Sequence, residues 1–162
     1  MDISQTTAPR SDQQNFDDYL AGPRDVTVSE VRAGSDEQPV EIHLVEFPGR
    51  PYKPSKTMRR VLVVAWGPDA SKYTGRRMRL YGDPAVKFGG STVGGIKISH
   101  LSDIEKRLNL SLTSTKGKRS PHTVEPLPPL SKIDLLRAEY KTADPERREQ
   151  IVAEVKALEA SE

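Results

Sequence analysis

The sequence predicts a mostly β protein with helices, of the α+β class: a small five-stranded barrel with one inserted helix, followed by a helical tail. Three observations carry this. Short runs of alternating apolar and polar residues recur between Val26 and Ile98, as half-buried strands require. One apolar run near residue 60 fits a helical period instead, and helix-start signals gather after residue 130.

The elements follow in order. Residues 1–22 are polar and acidic and are expected to stay disordered unless Phe16, Tyr19 and Leu20 dock locally. After Gly22-Pro23, Val26, Val28 and Val31 alternate with polar residues, with one slip near Glu30 that suggests a bulge. The Ala33-Gly34-Ser35-Asp36 cluster turns the chain, and Val40, Ile42 and Leu44 form a second strand. Pro48, Pro51 and Pro54 make the next segment irregular or an edge strand, because proline cannot donate to a central ladder.

In SKTMRRVLVVAWG, Met58, Val61, Leu62 and Ala65 follow i, i+3, i+4, i+7, with Ser55 or Thr57 as cap and Gly67-Pro68 as stop. The run reads as a helix in preference to a buried strand. Alternation returns at Met78 and Leu80, and again at Val86 and Phe88. Gly89-Gly90-Ser91-Thr92 then supplies a positive-φ turn before Ile96 and Ile98. Leu80–His100 is thus a glycine-hinged hairpin.

An apolar pattern (Ile104, Leu108, Leu110, Leu112) leads into a basic and then proline-rich stretch, 113–130, which reads as an extended arm or linker. In the acidic tail, 131–162, a short helix is expected from Lys132 to Tyr140. A longer one opens with Asp144 as N-cap and Pro145 at N1, its stripe formed by Ile151, Val155 and Leu158. Strand, strand, edge strand, helix, strand, strand is the chain order of the OB-fold, a small Greek-key barrel that commonly binds oligonucleotides. The barrel is assigned to residues 23–112.

Composition narrows the function classes. Of the 162 residues, 35% are hydrophobic and 30% charged, with 13 prolines, so part of the chain lies outside any core. With no cysteine, a disulfide framework, a thiolate zinc site and a cysteine nucleophile are excluded. The N-terminus lacks a basic start followed by an apolar run, and no stretch reaches the ~20 apolar residues that span a bilayer. A soluble intracellular protein is expected. The net charge of +2 hides a segregation: residues 1–22 carry −3, residues 131–162 carry −2, and 23–130 carry 18 basic against 11 acidic residues. A basic middle with acidic ends favours a polyanionic partner.

The runs KPSKTMRRVLVVAWG and YTGRRMRLYGDPAVKFGGSTVGGIKISHLS resemble a group of small bacteriophage and prophage proteins, mostly without assigned function. The shared pattern falls at Lys53, Pro54, Lys56, Met58 to Leu62, Trp66-Gly67, Tyr73, Gly75-Arg76, Leu80 to Gly90 and Val93 to His100, and covers roughly residues 50–125. More distant relatives with the same Leu-Tyr…Phe-Gly-Gly hairpin are similar to OB-type phage single-stranded DNA-binding proteins of replication and recombination. The resemblance implies that fold, that activity and the host cytoplasm as the setting.

Candidate contact residues come from three places. On the hairpin, the period-two rule sends Arg77, Arg79, Tyr81, Lys87 and Lys97 outward while Met78, Leu80, Val86, Phe88, Ile96 and Ile98 point inward. Cations neutralise phosphates and an aromatic ring stacks a base, although the same face also suits an acidic protein or plain solvation. Lys53, Lys56, Arg59 and Arg60 form a second basic cluster, with Tyr52 and Tyr73 as stacking candidates in loop-like sequence and Trp66 assigned to the core. Lys116, Lys118 and Arg119 make a third.

The glycine pairs match neither a P-loop nor a dinucleotide fingerprint, so they read as backbone devices. His43, His100 and His122 lack ligand spacing, and the sequence proximity of Ser99, His100 and Asp103 is no evidence for a triad, which is recognised by geometry and needs an oxyanion hole. The resulting expectation is a non-enzymatic single-stranded DNA-binding protein without cofactor, metal or membrane association. The alternatives are a module that binds a host or phage protein and a virion or assembly component. The tail is the candidate contact for a replication protein, and self-association is also compatible with the sequence.

Overall fold

The computed structural model describes residues 12–88, 91–92, 94–115 and 118–161. It is a mixed α+β structure in two units, Met1–Leu127 and Pro128–Glu162.

In the first unit the strands β1 (Arg24–Ala33), β2 (Val40–Leu44) and β3 (Phe47–Tyr52) form an antiparallel meander. Val26 and Val28 of β1 are buried, and the slip near Glu30 is a bulge: the register with β2 shifts between Val28 and Glu30. The apolar run that follows is a helix, α1 (Lys56–Trp66). The Ser55 side chain caps it by accepting from the Met58 N–H, and Gly67, at φ 88°, ends it. Helix prevails over strand here because it buries Met58, Val61, Leu62 and Trp66 together. Each such burial is worth about 1.5–3 kcal/mol, against a few tenths for each β-branched residue held in a helix.

The strand β4 (Arg77–Asp83) pairs with β1 and with β7 (Gly95–Leu101), and between them β5 (Lys87–Phe88) pairs with β6 (Ser91–Thr92). The Leu80–His100 segment is therefore a hairpin with a small second ladder. Its turn residues Gly89 and Gly90, with Val93, lie outside the described residues. Met78, Leu80 and Ile98 point inward and are fully buried.

The sheet is an open one of seven strands, in the order β3-β2-β1-β4-β7-β9-β8, and not the closed five-stranded barrel that the chain order suggested. Closure needs β3 to pair back on β7, yet Pro48 and Pro51 withhold N–H groups from β3. The second edge of β7 is taken by β9 (Lys118–Pro126), in parallel, at His100↔Glu125 and Leu101↔Pro126. A side chain spans the opening instead, as Tyr52 Oη donates to the Ile96 carbonyl at 3.0 Å.

The stretch expected to be an arm is also corrected. The strands β8 (Leu108–Thr115) and β9 pair antiparallel, with Leu108, Leu110 and Leu112 packed against the core and Val124 buried within it. This unit extends to Leu127, itself 5% exposed, beyond the expected end at residue 112.

Of the acidic N-terminal segment, residues 12–22 are described, and they dock on the rest of the first unit. A short 3-10 helix, Phe16–Tyr19, is capped by Asn15 and Asp18 in a reciprocal capping box, and Tyr19 is buried. Arg50 of β3 clamps it, donating to the two Asp18 carboxylate oxygens at 2.7 and 2.8 Å and to the Gln13 carbonyl at 3.1 Å. Phe16 lies over the hairpin glycines: a Cβ on Gly94 would sit 2.6 Å from its ring, and one on Gly82 2.9 Å. Leu20 stays exposed.

The second unit contains α2 (Lys132–Tyr140) and α3 (Pro145–Ala160), which pack on each other, with Ser131 and Asp144 as N-caps and Pro145 opening α3. Arg147 ties them by pairing with Glu139 at 2.7 Å, and it also reaches Glu154 of its own helix at 3.2 Å. Leu136 and Ile151 are buried. Among the described residues no helix is long and apolar enough to cross a membrane.

Candidate nucleic-acid interface

A cleft of about 1140 Å³ opens on the first unit between residues 13–17, the start of α1, and the β5–β7 end of the hairpin. Lys53, Lys56, Arg59, Lys87 and Lys97 line it, drawn from three separate stretches of sequence. Asp17, Glu37 and Asp83 also line it.

The cations differ in how far they are already neutralised. Lys97 Nζ is 2.6 Å from Asp83 Oδ2, and this contact, together with the Ala85 N–H, holds the Asp83 carboxyl below the ordinary carboxylate range. Lys53 is 3.8 Å from Glu41. Lys56 and Lys87 are exposed and make no ion pair among the described residues, while Arg59 donates to the Pro54 carbonyl at 2.9 Å.

The outward row of the hairpin is more heavily paired. Arg79 grips Asp25 with two bonds, at 2.6 and 3.1 Å, and Arg77 lies 3.8 Å from the same carboxylate. Tyr81 is half-buried, and burial pushes its hydroxyl pKa up. Arg60 and Arg119 are exposed. Lys116 lies outside the described residues. Lys118 opens β9, a paired strand and not an arm.

Two expected stacking residues belong to the core. Tyr52 is 2% exposed, and burial pushes its pKa well above the ordinary phenol value. Tyr73 is 5% exposed, donates to the Gly67 carbonyl at 2.6 Å and meets Trp66 edge-on with ring centroids 5.1 Å apart. Both sit in loop-like sequence, but their hydroxyls cap buried carbonyls, which keeps a polar-tipped ring inside at little cost. Trp66 is core as expected, its Nε1–H donating to the Ser102 carbonyl at 2.8 Å.

Phe16 lines the cleft beside these lysines, as does the otherwise buried Tyr52, and Phe16 docks in a segment expected to be disordered unless Phe16, Tyr19 and Leu20 dock locally. Asn15-x-x-Asp18, interleaved with Phe16 and Tyr19, was the available signal, since a small polar residue followed by an acid three residues on marks a helix start. Two of the histidines have ordinary partners: His122 Nε2 donates to the Ile98 carbonyl at 2.8 Å, and His100 Nδ1 lies 2.8 Å from Ser99 Oγ. Asp103 accepts from Ser102 Oγ at 2.6 Å. No family model matches the chain, nor does any curated protein or solved structure.

Proposed function

We propose that the protein binds single-stranded DNA without enzymatic chemistry, in the replication or recombination of phage DNA. The observation that carries this reading is the cleft, where five cations from positions 53 to 97 converge beside the Phe16 ring. A single strand needs that combination, phosphate neutralisation with a stacking surface, and it tolerates any base. The OB-like chain order of three strands, a helix and two strands also supports it. So does the resemblance of residues 50–125 to phage proteins, and the binding would belong to the host cytoplasm.

Lys56, Arg59 and Lys87 are the cleft cations without a carboxylate partner among the described residues. Releasing counterions from about three phosphates gives a slope of about −2 in log affinity against log salt, or roughly 20-fold weaker binding between about 50 and about 200 mM. Fluorescence anisotropy with a thymidine oligonucleotide of about 20 nucleotides measures both quantities. A Lys56→Glu/Lys87→Glu variant is expected to lose most of the affinity and flatten the slope. Folded protein that fails to bind at low salt, or a variant that binds unchanged, overturns the proposal.

A further inference from the structure

Two exposed features lie side by side away from the cleft's hairpin wall. On α1, Val63 and Val64 are 49% and 58% exposed, while Met58, Val61, Leu62 and Trp66 of the same helix are buried. Adjacent β-branched residues weaken a helix slightly and gain nothing when left in water, so the folding of this chain does not account for them. Next to them runs β8, the last strand of the sheet, which takes β9 on one side and no backbone partner on the other among the described residues. Its sequence, LNLSLTST, has no charge and no proline to guard that edge, the usual protection against strand addition.

A groove of about 530 Å³ separates the two, walled by Val63 and Val64 on the helix and by Leu110 and Leu112 on the strand. Lys56, Arg59 and Arg60 rim it, and no carboxylate lines it. Arg59 and Arg60 sit one helical turn before the valines, about 5.4 Å along the axis, and Lys56 about a turn earlier still. In an extended chain, residues i and i+2 lie on one face about 6.6 Å apart, so a strand can match this spacing.

We infer that this groove receives an extended acidic segment of a partner protein, added as a new strand on β8. Aliphatic residues at alternate positions meet Val63 and Val64, and aspartate or glutamate at the next positions of the same phase meets Arg59, Arg60 and Lys56. Main-chain bonds to β8 supply affinity, and the apolar-then-acidic order supplies selectivity. This goes beyond the oligonucleotide reading, because Arg60, Val63 and Val64 do not line the cleft.

The test uses the full chain and a fluorescein-labelled peptide of about nine residues, in which serine alternates with two valines and then two glutamates. Saturable binding is expected, weakened at least about tenfold when lysines replace the glutamates. Slowed amide exchange at Leu108–Thr115 should accompany it. Val64→Glu and, independently, Arg60→Glu should each reduce binding about tenfold or more with an unchanged far-ultraviolet spectrum, and Val64→Glu should also leave oligonucleotide affinity unchanged. No binding by folded protein, equal binding of the lysine peptide, or protection elsewhere than β8 overturns the inference. So does a concentration-dependent dimer abolished by Val64→Glu, or loss of oligonucleotide binding in Val64→Glu. Failure of the oligonucleotide titration alone leaves these readouts intact.

Discussion

Replacing Gly94 with alanine tests whether the N-terminal strap is held by the hairpin's missing side chains. Gly94 has φ +78°, and an added Cβ would lie 2.6, 2.8 and 2.9 Å from three atoms of the Phe16 ring. Ordinary carbon contacts begin near 3.5 Å, so the ring has to leave. The left-handed backbone costs alanine about 1–2 kcal/mol by itself. Undocking the half-buried phenylalanine adds about 1–2 kcal/mol of lost burial. Gly94→Ala is therefore expected to cost about 2–4 kcal/mol in the native background but only about 1–2 kcal/mol in a Phe16→Ala background, where no ring remains to displace. Urea unfolding followed by the fluorescence of Trp66, the single tryptophan, reports on this unit. With an m-value of about 2 kcal/mol per M, the difference between backgrounds is a midpoint shift of about 0.5–1 M. Equal costs in the two backgrounds would refute the claim that Phe16 and Gly94 are coupled.

Three further outcomes follow from the same contacts. Tyr52→Phe strands the Ile96 carbonyl and should lower stability by about 1–2 kcal/mol, with oligonucleotide affinity unchanged because the ring is buried; a large loss of affinity would restore Tyr52 to the interface. Asp25→Asn removes the carboxylate that grips Arg79 and should steepen the salt slope of oligonucleotide binding by about 0.7, one phosphate's worth, so an unchanged slope would show that this face stays out of contact. Burial, followed by the Arg79 charge, holds His100 below the ordinary imidazole value of about 6.5, so the unfolded chain takes up its proton first as pH falls. The His100 contribution is thus complete above about 6.5 and declines as pH drops toward its folded-state pKa; His100→Gln should flatten that part of a urea-midpoint profile, and an unaltered profile counts against it.

Much of the fold is legible in the sequence wherever period and punctuation agree. Asp144-Pro145 and Ser55 mark helix starts by a local mechanism, and the slip at Glu30 becomes a bulge because a period of two tolerates one extra residue only in that way. The β8–β9 pair is harder to see. Leu108, Leu110 and Leu112 alternate plainly, but their partner strand, KRSPHTVEP, reads as an arm, since Pro121 and the basic start mask the inward position of Val124. Barrel closure is hidden for another reason. Which strand takes the free edge of β7 is a competition between two distant segments: the prolines of β3 count against that strand, but nothing local marks β9 as the one that replaces it.

The candidate interface shows the same division between local and distant information. Period two correctly puts Arg77, Arg79 and Lys97 away from the buried face of the hairpin, yet an outward cation binds an external phosphate only if no carboxylate has reached it first. Asp25, 54 positions from Arg79 in sequence, lies opposite it in the β1–β4 register, and Asp83 faces Lys97 across the hairpin end. A paired guanidinium must give up its carboxylate to take a phosphate, so its net gain on binding is smaller than that of an exposed lysine. The strongest contributions are therefore expected from Lys56 and Lys87, which the sequence picks out as candidates but does not distinguish from their paired neighbours. Their value comes from a cleft wall, residues 13–17, that exists only because Arg50 clamps Asp18 and Phe16 fits over two glycines.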